Sequence, residues 1–269
     1  MIAVLAISDI VQLIIRAVIQ AITEFLPVSS SAHLIILPKL FNFNNQSLSV
    51  DVLLHLATGL SVFLFFSKSI FTALRNLNKY YLLLIKIIIS IVPPSIIGLL
   101  VGSSIDNIFH NSDKVLFYIS ISMFISTIFM QYADYRYRKE RDKANGKVFS
   151  YHNNGEVDAK ELLKVDNSVS YRSALLLGLS QTIALVPGVS RSGITIASAQ
   201  LLDIDIRSSS IYSFLVGLPI FLLAGIYGLS KIIGSGDSSA PVLHLLLAFC
   251  ICSILGRIFI KYALMIIAK

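Results

Sequence analysis

A short polar break, Glu24-Phe-Leu-Pro-Val-Ser-Ser-Ser-Ala-His33, interrupts an apolar stretch that runs from Ile10 to Leu40. A second break, Val186-Pro-Gly-Val-Ser-Arg-Ser-Gly-Ile-Thr195, interrupts the apolar stretch from Ser173 to Leu202. Proline and clustered small or hydroxyl residues oppose a continuous helix, so each stretch predicts two half-helices. Irregular backbone at membrane depth is tolerated only where protein or a water-filled cavity satisfies its polar groups. We therefore expect two re-entrant hairpins that face each other, with a long kinked span as the alternative for each.

Five further apolar blocks are long enough to cross a membrane, since a helical span needs about 20 mostly apolar residues. The composition agrees, because 55% of the residues are hydrophobic and only 14% are charged, whereas soluble domains carry roughly a quarter. We predict an all-α polytopic membrane protein with one integral domain, residues 1–269, surrounded by the lipid bilayer. The five predicted spans are Leu48 to Ser67, Tyr80 to Val101, Val115 to Tyr132, Ser210 to Ser230, and Pro241 to about Ala268.

The basic residues indicate the two sides of the membrane. The formal charge is +7, but no basic surface interleaved with aromatic residues is evident, so we predict no nucleic-acid partner. Short connections rich in Lys and Arg belong in the cytoplasm, and residues 68–79 hold three while residues 133–147 hold six. The first broken stretch then starts and ends outside and the second inside. The two halves, about 8–132 and about 173–269, are therefore predicted to be inverted repeats, joined by a mobile cytoplasmic linker, about 133–172, with no chemical role.

One lone charge lies in each broken stretch. Glu24 is the only charged residue within residues 17–38, with Gln20 one helical turn before it, and Arg191 is the only one within residues 173–202. Ionisable side chains at membrane depth are costly and usually functional. The structural alternative is an ion pair between Glu24 and Arg191, but a buried pair alone is a poor source of stability.

An anion site explains the breaks better. Serines such as Ser29 and Ser190 can cap half-helices whose N-terminal N–H groups and dipoles attract phosphate. Arg191 adds a planar guanidinium that clamps phosphate oxygens. A carboxylate in the same pocket would repel phosphate unless it held a cation or accepted a proton. Glu24 and Gln20 therefore predict a site for Mg²⁺ or Ca²⁺, which take oxygen ligands together with substrate phosphates.

The first break also offers candidates for a nucleophile. Ser29, Ser30 and His33 lie within five positions of one another, which suits a hydroxyl nucleophile beside a base. Ser30 and His33 are three apart and can share a helix face, but spacing alone does not choose between them. His55 and Asp51, one turn apart in the following span, are interpreted either as a pore-lining pair or as interfacial residues.

The two breaks resemble the signature stretches of the undecaprenyl-diphosphate phosphatases, also called BacA or UppP, the bacitracin-resistance proteins. The resemblance extends from about Ile10 to Lys261. It implies two interlocked inverted repeats and an active site that opens toward the periplasmic face of the bacterial plasma (inner) membrane. It also implies hydrolysis of a polyprenyl diphosphate lipid, undecaprenyl diphosphate, with the help of a divalent cation.

By motif position, the resemblance also implies roles for individual residues. Glu24 with Gln20 serves the cation and the proton chemistry, and either Ser30 or His33 carries out the nucleophilic step. Phosphate binding falls to Ser190, Arg191 and Thr195.

Two departures from the family pattern affect these expectations. Many members have glutamate where this chain has Gln20, which removes one negative charge from the cation site. Members also usually continue into a sixth span, whereas this sequence ends at Lys269 with five, so we keep pairing with a second copy, as a homodimer, as an open alternative. The competing function is a flippase or transporter for an anionic polyprenyl phosphate lipid, because inverted repeats with broken helices are also a transporter architecture.

Overall fold

The computed structural model describes residues 2–41, 43, 48–110, 114–143, 155–235 and 241–267, and every regular element in these ranges is an α-helix. The predicted all-α fold is confirmed. In chain order the helices are α1 (Ile2–Thr23), α2 (Ser30–Phe41), α3 (Leu48–Arg75), α4 (Leu77–His110), α5 (Val115–Lys143), α6 (Ala159–Ser168), α7 (Tyr171–Ile183), α8 (Arg191–Leu201), α9 (Ile206–Ser235) and α10 (Val242–Ile267).

Five of these helices, α3, α4, α5, α9 and α10, are long and apolar enough to cross a membrane. They coincide with the five predicted spans, so the protein is a multi-pass membrane protein. Several helices continue past the predicted ends, because a helix needs no apolar residues where it leaves the membrane. α5, predicted to end at Tyr132, runs on to Lys143, and an exposed ion pair between Arg138 and Asp134, 2.8 Å long, lies on this extension.

Both predicted breaks are confirmed as interruptions between two half-helices. α1 ends at Thr23 and α2 begins at Ser30, and α7 ends at Ile183 and α8 begins at Arg191. The two arms of each broken stretch contact each other, as a hairpin requires. Gly188 in the second break has a φ of 103°, a conformation that favours glycine. A Cβ at this position would also lie 2.9 Å from the carbonyl oxygen of Ile119, so this break depends on glycine.

The helix contacts match between the two halves. The first arm of each hairpin packs on the second span of the other half, because α1 contacts α10 and α7 contacts α4. The first spans of the two halves, α3 and α9, contact each other. This reciprocal packing supports the inverted-repeat arrangement, which stays a prediction.

The segment expected to be a mobile linker is partly a packed helix. Asp158 caps α6 by accepting a hydrogen bond from the backbone N–H of Glu161. Leu162 and Val165 are buried, and α6 contacts α3, α4 and α9. The expectation of a mobile linker is therefore wrong for residues 159–168, because this short sequence has an apolar face that the spans cover. Residues 144–154 lie outside the described residues.

A buried ion pair anchors α6 to α4. Lys86 lies within the second predicted span, where a lone lysine is expected to extend its amine toward the membrane surface. Instead its Nζ donates to Asp166 Oδ1 at 2.6 Å and to the Asp166 carbonyl at 2.8 Å. Both residues are less than 10% exposed. The pair joins residues 80 positions apart, which explains why sequence spacing gave no sign of it.

Candidate active site

The two breaks contact each other directly. Ser192 Oγ donates to the carbonyl oxygen of Leu26 at 3.0 Å and lies 3.3 Å from that of Glu24. Ser190 Oγ also lies 3.4 Å from the Leu26 carbonyl oxygen. Hydroxyls of the second break therefore act as hydrogen-bond donors to carbonyl groups of the first break that lie outside a helix. Irregular backbone at membrane depth needs such partners, and this is why we predicted that the two stretches face each other.

Glu24 lies at the centre of this contact and is 6% exposed. Its Oε2 accepts a 2.6 Å hydrogen bond from Ser30 Oγ and a 2.9 Å hydrogen bond from Gln20 Nε2. Its Oε1 lies 3.5 Å from Arg191 Nη2. One buried carboxylate thus joins the last turn of α1, the first residue of α2 and the first residue of α8.

Ser30, rather than His33, is the group held by the carboxylate. A hydroxyl that donates to a carboxylate at this distance can lose its proton to that carboxylate as it attacks. His33 Nδ1 instead lies 2.6 Å from the carbonyl oxygen of Ser29. Because that oxygen only accepts, Nδ1 carries the hydrogen, and in the neutral imidazole the lone pair is on Nε2. The geometry separates the two residues that spacing left equivalent.

Arg191 approaches the carboxylate from the second hairpin with its side chain 12% exposed. Its Nη1 donates to the carbonyl oxygen of Ser213 at 2.9 Å, and its Cζ lies 4.7 Å from the centre of the Phe221 ring. Nε is buried and lacks a hydrogen-bond partner, as does the hydroxyl of Ser213, and the buried Nη2 makes no hydrogen bond beyond its 3.5 Å ion pair with Glu24 Oε1. Buried donors of a guanidinium are rarely left unpaired, so this edge is suited to a ligand with oxygen acceptors.

The remaining predicted phosphate-binding residues make local contacts within their own hairpins, in addition to the contact of Ser190 with Leu26. Ser190 caps α8 by accepting from Gly193 N at 3.2 Å, and Ser29 lies 3.3 Å from Ala32 N in α2. Thr195 is fully buried and donates to the carbonyl oxygen of Arg191 at 2.7 Å. These three residues shape the ends of the half-helices, whereas Gln20, Ser30 and Arg191 all contact Glu24.

The family model described as bacitracin resistance protein BacA matches residues 13–269 of this chain. The chain belongs to this family. An undecaprenyl-diphosphatase of Thermosipho africanus is 37% identical over 226 residues, which cover 81% of this chain and 78% of that protein. Proteins of the same name from Methanococcus aeolicus and Campylobacter curvus are 31% and 32% identical, with 94% and 97% of this chain covered and 89% and 91% of theirs.

The predicted cation ligands of this BacA-family chain fit a divalent cation. Gln20 is fully buried beside Glu24, and its Oε1 has no hydrogen-bond partner. Carboxylate and amide oxygens are ligands that Mg²⁺ or Ca²⁺ takes together with substrate phosphates, but the Gln20 amide nitrogen faces Glu24 here, so its oxygen joins the carboxylate at a cation only when the amide group rotates. The described part of the chain contains no group of three His, Cys, Asp or Glu side chains that could hold a metal. Glu24 and Gln20 are therefore the residues that could hold a divalent cation, with substrate phosphates as further ligands.

His55 belongs to this site of the BacA-family chain, which the sequence did not establish. Its Nδ1 lies 3.4 Å from Gln20 Nε2 and 4.0 Å from Glu24 Oε2. Asp51, interpreted with His55 either as a pore-lining pair or as interfacial, pairs with Arg16 at 2.9 Å. The sequence did contain a signal for this contact. Arg16 and Gln20 are four residues apart, and so are Asp51 and His55. Residues four apart lie on one helix face, so two such pairs on adjacent helices can contact each other.

Proposed function

We propose that this chain hydrolyses undecaprenyl diphosphate to undecaprenyl phosphate and inorganic phosphate. This reaction recycles the lipid carrier of peptidoglycan synthesis and confers resistance to bacitracin. The observation that carries the proposal is the 2.6 Å hydrogen bond from Ser30 Oγ to Glu24 Oε2, with Arg191 on the other oxygen of the same carboxylate. A nucleophile, its base and an anion clamp meet in one place, in a family whose curated relatives carry the name of this phosphatase.

The first chemical step follows from these contacts. Ser30 Oγ bonds to the terminal phosphorus while Glu24 accepts the hydroxyl proton. The bond from that phosphorus to the bridging oxygen breaks, and its electron pair leaves on undecaprenyl phosphate. Arg191 binds the equatorial oxygens, where charge develops in the transition state.

The second step releases phosphate and restores the enzyme. Water attacks the phosphorus of the phosphoserine and gives its proton to His33 Nε2, the nitrogen that keeps a lone pair. Glu24 returns its proton to Ser30 Oγ as the phosphorus–serine bond breaks, and His33 releases its proton to solvent. The sum is one water consumed and one phosphate formed.

A divalent cation, Mg²⁺ or Ca²⁺, held by Glu24 and Gln20 would neutralise the negative charge of the diphosphate. Without the positive charge of the cation, Glu24 would repel the substrate that Arg191 attracts. Every protein group in this scheme comes from one chain, so the reaction as proposed does not require a homodimer.

We propose the bacterial plasma (inner) membrane as the location, with the site open toward the periplasmic side. The basic connections at residues 68–79 and 133–147 support this orientation, because they belong in the cytoplasm. The first hairpin then enters from the opposite, outer side. A diphosphate left on the outer leaflet would reach the site without crossing the membrane.

The test is phosphate release from undecaprenyl diphosphate by the full chain purified in detergent. We expect release by the wild type and none above background by Glu24→Ala or Arg191→Ala, each recovered as a monodisperse folded protein. A well-folded wild type that releases no phosphate would exclude the phosphatase and favour a flippase, since transport requires anion recognition but neither a nucleophile nor its base.

A further inference from the structure

Phe221 lies against two parts of the site at once. Its ring is 4% exposed and lies beneath Arg191, with the guanidinium carbon 4.7 Å from the ring centre. The imidazole of His55 stacks on the same residue, with ring centres 6.2 Å apart and planes inclined by 18°. His55 in turn reaches Gln20 and Glu24. A single aromatic side chain of α9 therefore joins the arginine of the second hairpin to the carboxylate group of the first.

Few other contacts hold the plane of the Arg191 guanidinium. The hydrogen bond from Nη1 to the Ser213 carbonyl oxygen is short at 2.9 Å, but Nη2 is 3.5 Å from Glu24 Oε1 and Nε has no hydrogen-bond partner. A single short hydrogen bond at Nη1 still allows the planar guanidinium group to tilt. A ring face within about 6 Å attracts the cation and is worth roughly 2 kcal/mol when both are desolvated, which opposes that tilt.

The backbone of α9 also fits the guanidinium. Gly217 lies one turn before Phe221, and a Cβ at this position would be 2.8 Å from Arg191 Cζ. Helix α3 also approaches Phe221 closely, since a Cβ at Gly59 of α3 would lie 3.2 Å from Phe221 Cβ. The close approach of α3 and α9 at Gly59 restricts where the Phe221 ring can go, so its face stays under the guanidinium.

We propose that Phe221 is a positioning residue that holds the guanidinium of Arg191 flat, so that Nε and Nη2 face the phosphate together. Bidentate recognition of phosphate needs both donors in one plane. An aliphatic residue would fill the space but would lack the negative ring face that attracts the cation. The inference rests on the proposed function to the extent that the bound anion is a phosphate of the substrate.

The test measures the binding of inorganic phosphate to the purified full chain by isothermal titration calorimetry, which does not depend on turnover. Phe221→Leu is compared with the wild type and with Phe66→Leu, a matched control. Phe66 is buried too and lies with Phe221 in one cluster of buried apolar side chains, but its ring packs against Phe65. We expect phosphate affinity to fall roughly ten- to thirtyfold in Phe221→Leu and to stay within about twofold in Phe66→Leu.

A second series removes the effect of side-chain size. Replacement of Phe221 by mono-, di- and trifluorophenylalanine keeps the ring but progressively weakens the negative face, so phosphate affinity should fall step by step. The same series at Phe66 should leave affinity unchanged. Equal affinity across the Phe221 series, or an equal loss at both positions, would overturn the inference.

Hydrolysis of undecaprenyl diphosphate is measured on the same preparations. A wild type that binds phosphate without hydrolysing the lipid counts against the proposed function alone, because the fluorinated series still decides the role of Phe221. A wild type that binds no phosphate overturns the inference, since the Arg191 edge would then hold no anion. An active wild type predicts that Phe221→Leu raises KM more than it lowers kcat, because the clamp binds phosphate before and during the reaction.

Discussion

Ser30 Oγ donates a 2.6 Å hydrogen bond to Glu24 Oε2 across the break that separates α1 from α2. His33 Nδ1 instead contacts the Ser29 carbonyl oxygen, so Ser30 is the candidate nucleophile that the carboxylate can activate. Ser30→Ala should therefore lower phosphate release by roughly a thousandfold or more. His33→Gln should slow the second step, so radiolabelled phosphate from the substrate should accumulate on Ser30 and be found there by peptide mapping.

The two variants separate Ser30 from His33 as the nucleophile. An acid-labile phosphohistidine at position 33, or a Ser30→Ala variant with near-normal turnover, would assign the nucleophilic step to His33. Ser67→Ala is a matched control, because its hydroxyl bonds to the Leu64 carbonyl oxygen within an exposed helix surface.

Arg191→Lys should lose activity although it keeps the positive charge. A lysine offers one compact ammonium in place of the planar fork, and it also loses the stacked contact with Phe221. We expect phosphate release to fall about a hundredfold, measured at saturating lipid. Arg138→Lys, in the exposed pair with Asp134, should retain full activity. Near-normal turnover in Arg191→Lys would mean that the position supplies only charge.

A chelator should abolish activity, and added Mg²⁺ or Ca²⁺ should restore it. Gln20→Glu provides the sharper experiment, because a second carboxylate beside Glu24 attracts a cation more strongly. The variant should reach half-maximal activity at a lower cation concentration than the wild type. Titration with sodium chloride at matched ionic strength is the control. Phosphate release that is indifferent to chelation would remove the cation from the scheme and leave Glu24 as a base alone.

The approach of Glu24 to Arg191 could be predicted because each is a lone charge in an apolar stretch, and such charges find partners. The choice of Ser30 over His33 could not, since it depends on the backbone path between Pro27 and Ser29. Spacing along the chain says nothing about that path.

The residues whose place in the fold or site the sequence did not establish are distant or chemically ordinary. His55 reaches Gln20 across 35 positions, and its role depends on how α3 lies against α1. Phe221 looks like any core aromatic in a span until the guanidinium is seen above its ring. α6 was missed because its mean composition is polar, although Leu162 and Val165 line one buried face.

Removing one partner of the buried Lys86–Asp166 pair should destabilise the fold more than removing one partner of an exposed ion pair. Lys86→Met leaves Asp166 buried with its charge unpaired, and such changes cost about 3 to 5 kcal/mol. Replacing both residues with apolar ones of similar size, as in Lys86→Met with Asp166→Leu, should recover much of that loss, because no unpaired charge remains. Thermal unfolding of the detergent-purified protein measures both variants.

The exposed pair of Lys143 and Glu140, 3.0 Å apart, provides the control. Lys143→Met should leave stability almost unchanged, because solvent screens the exposed charges. If Lys86→Met were as stable as Lys143→Met, α6 would not be held by the buried pair. Its position would then depend on the Leu162 and Val165 contacts. A double variant no more stable than Lys86→Met would show instead that the two side chains contribute through packing and hydrogen bonds to the Asp166 backbone.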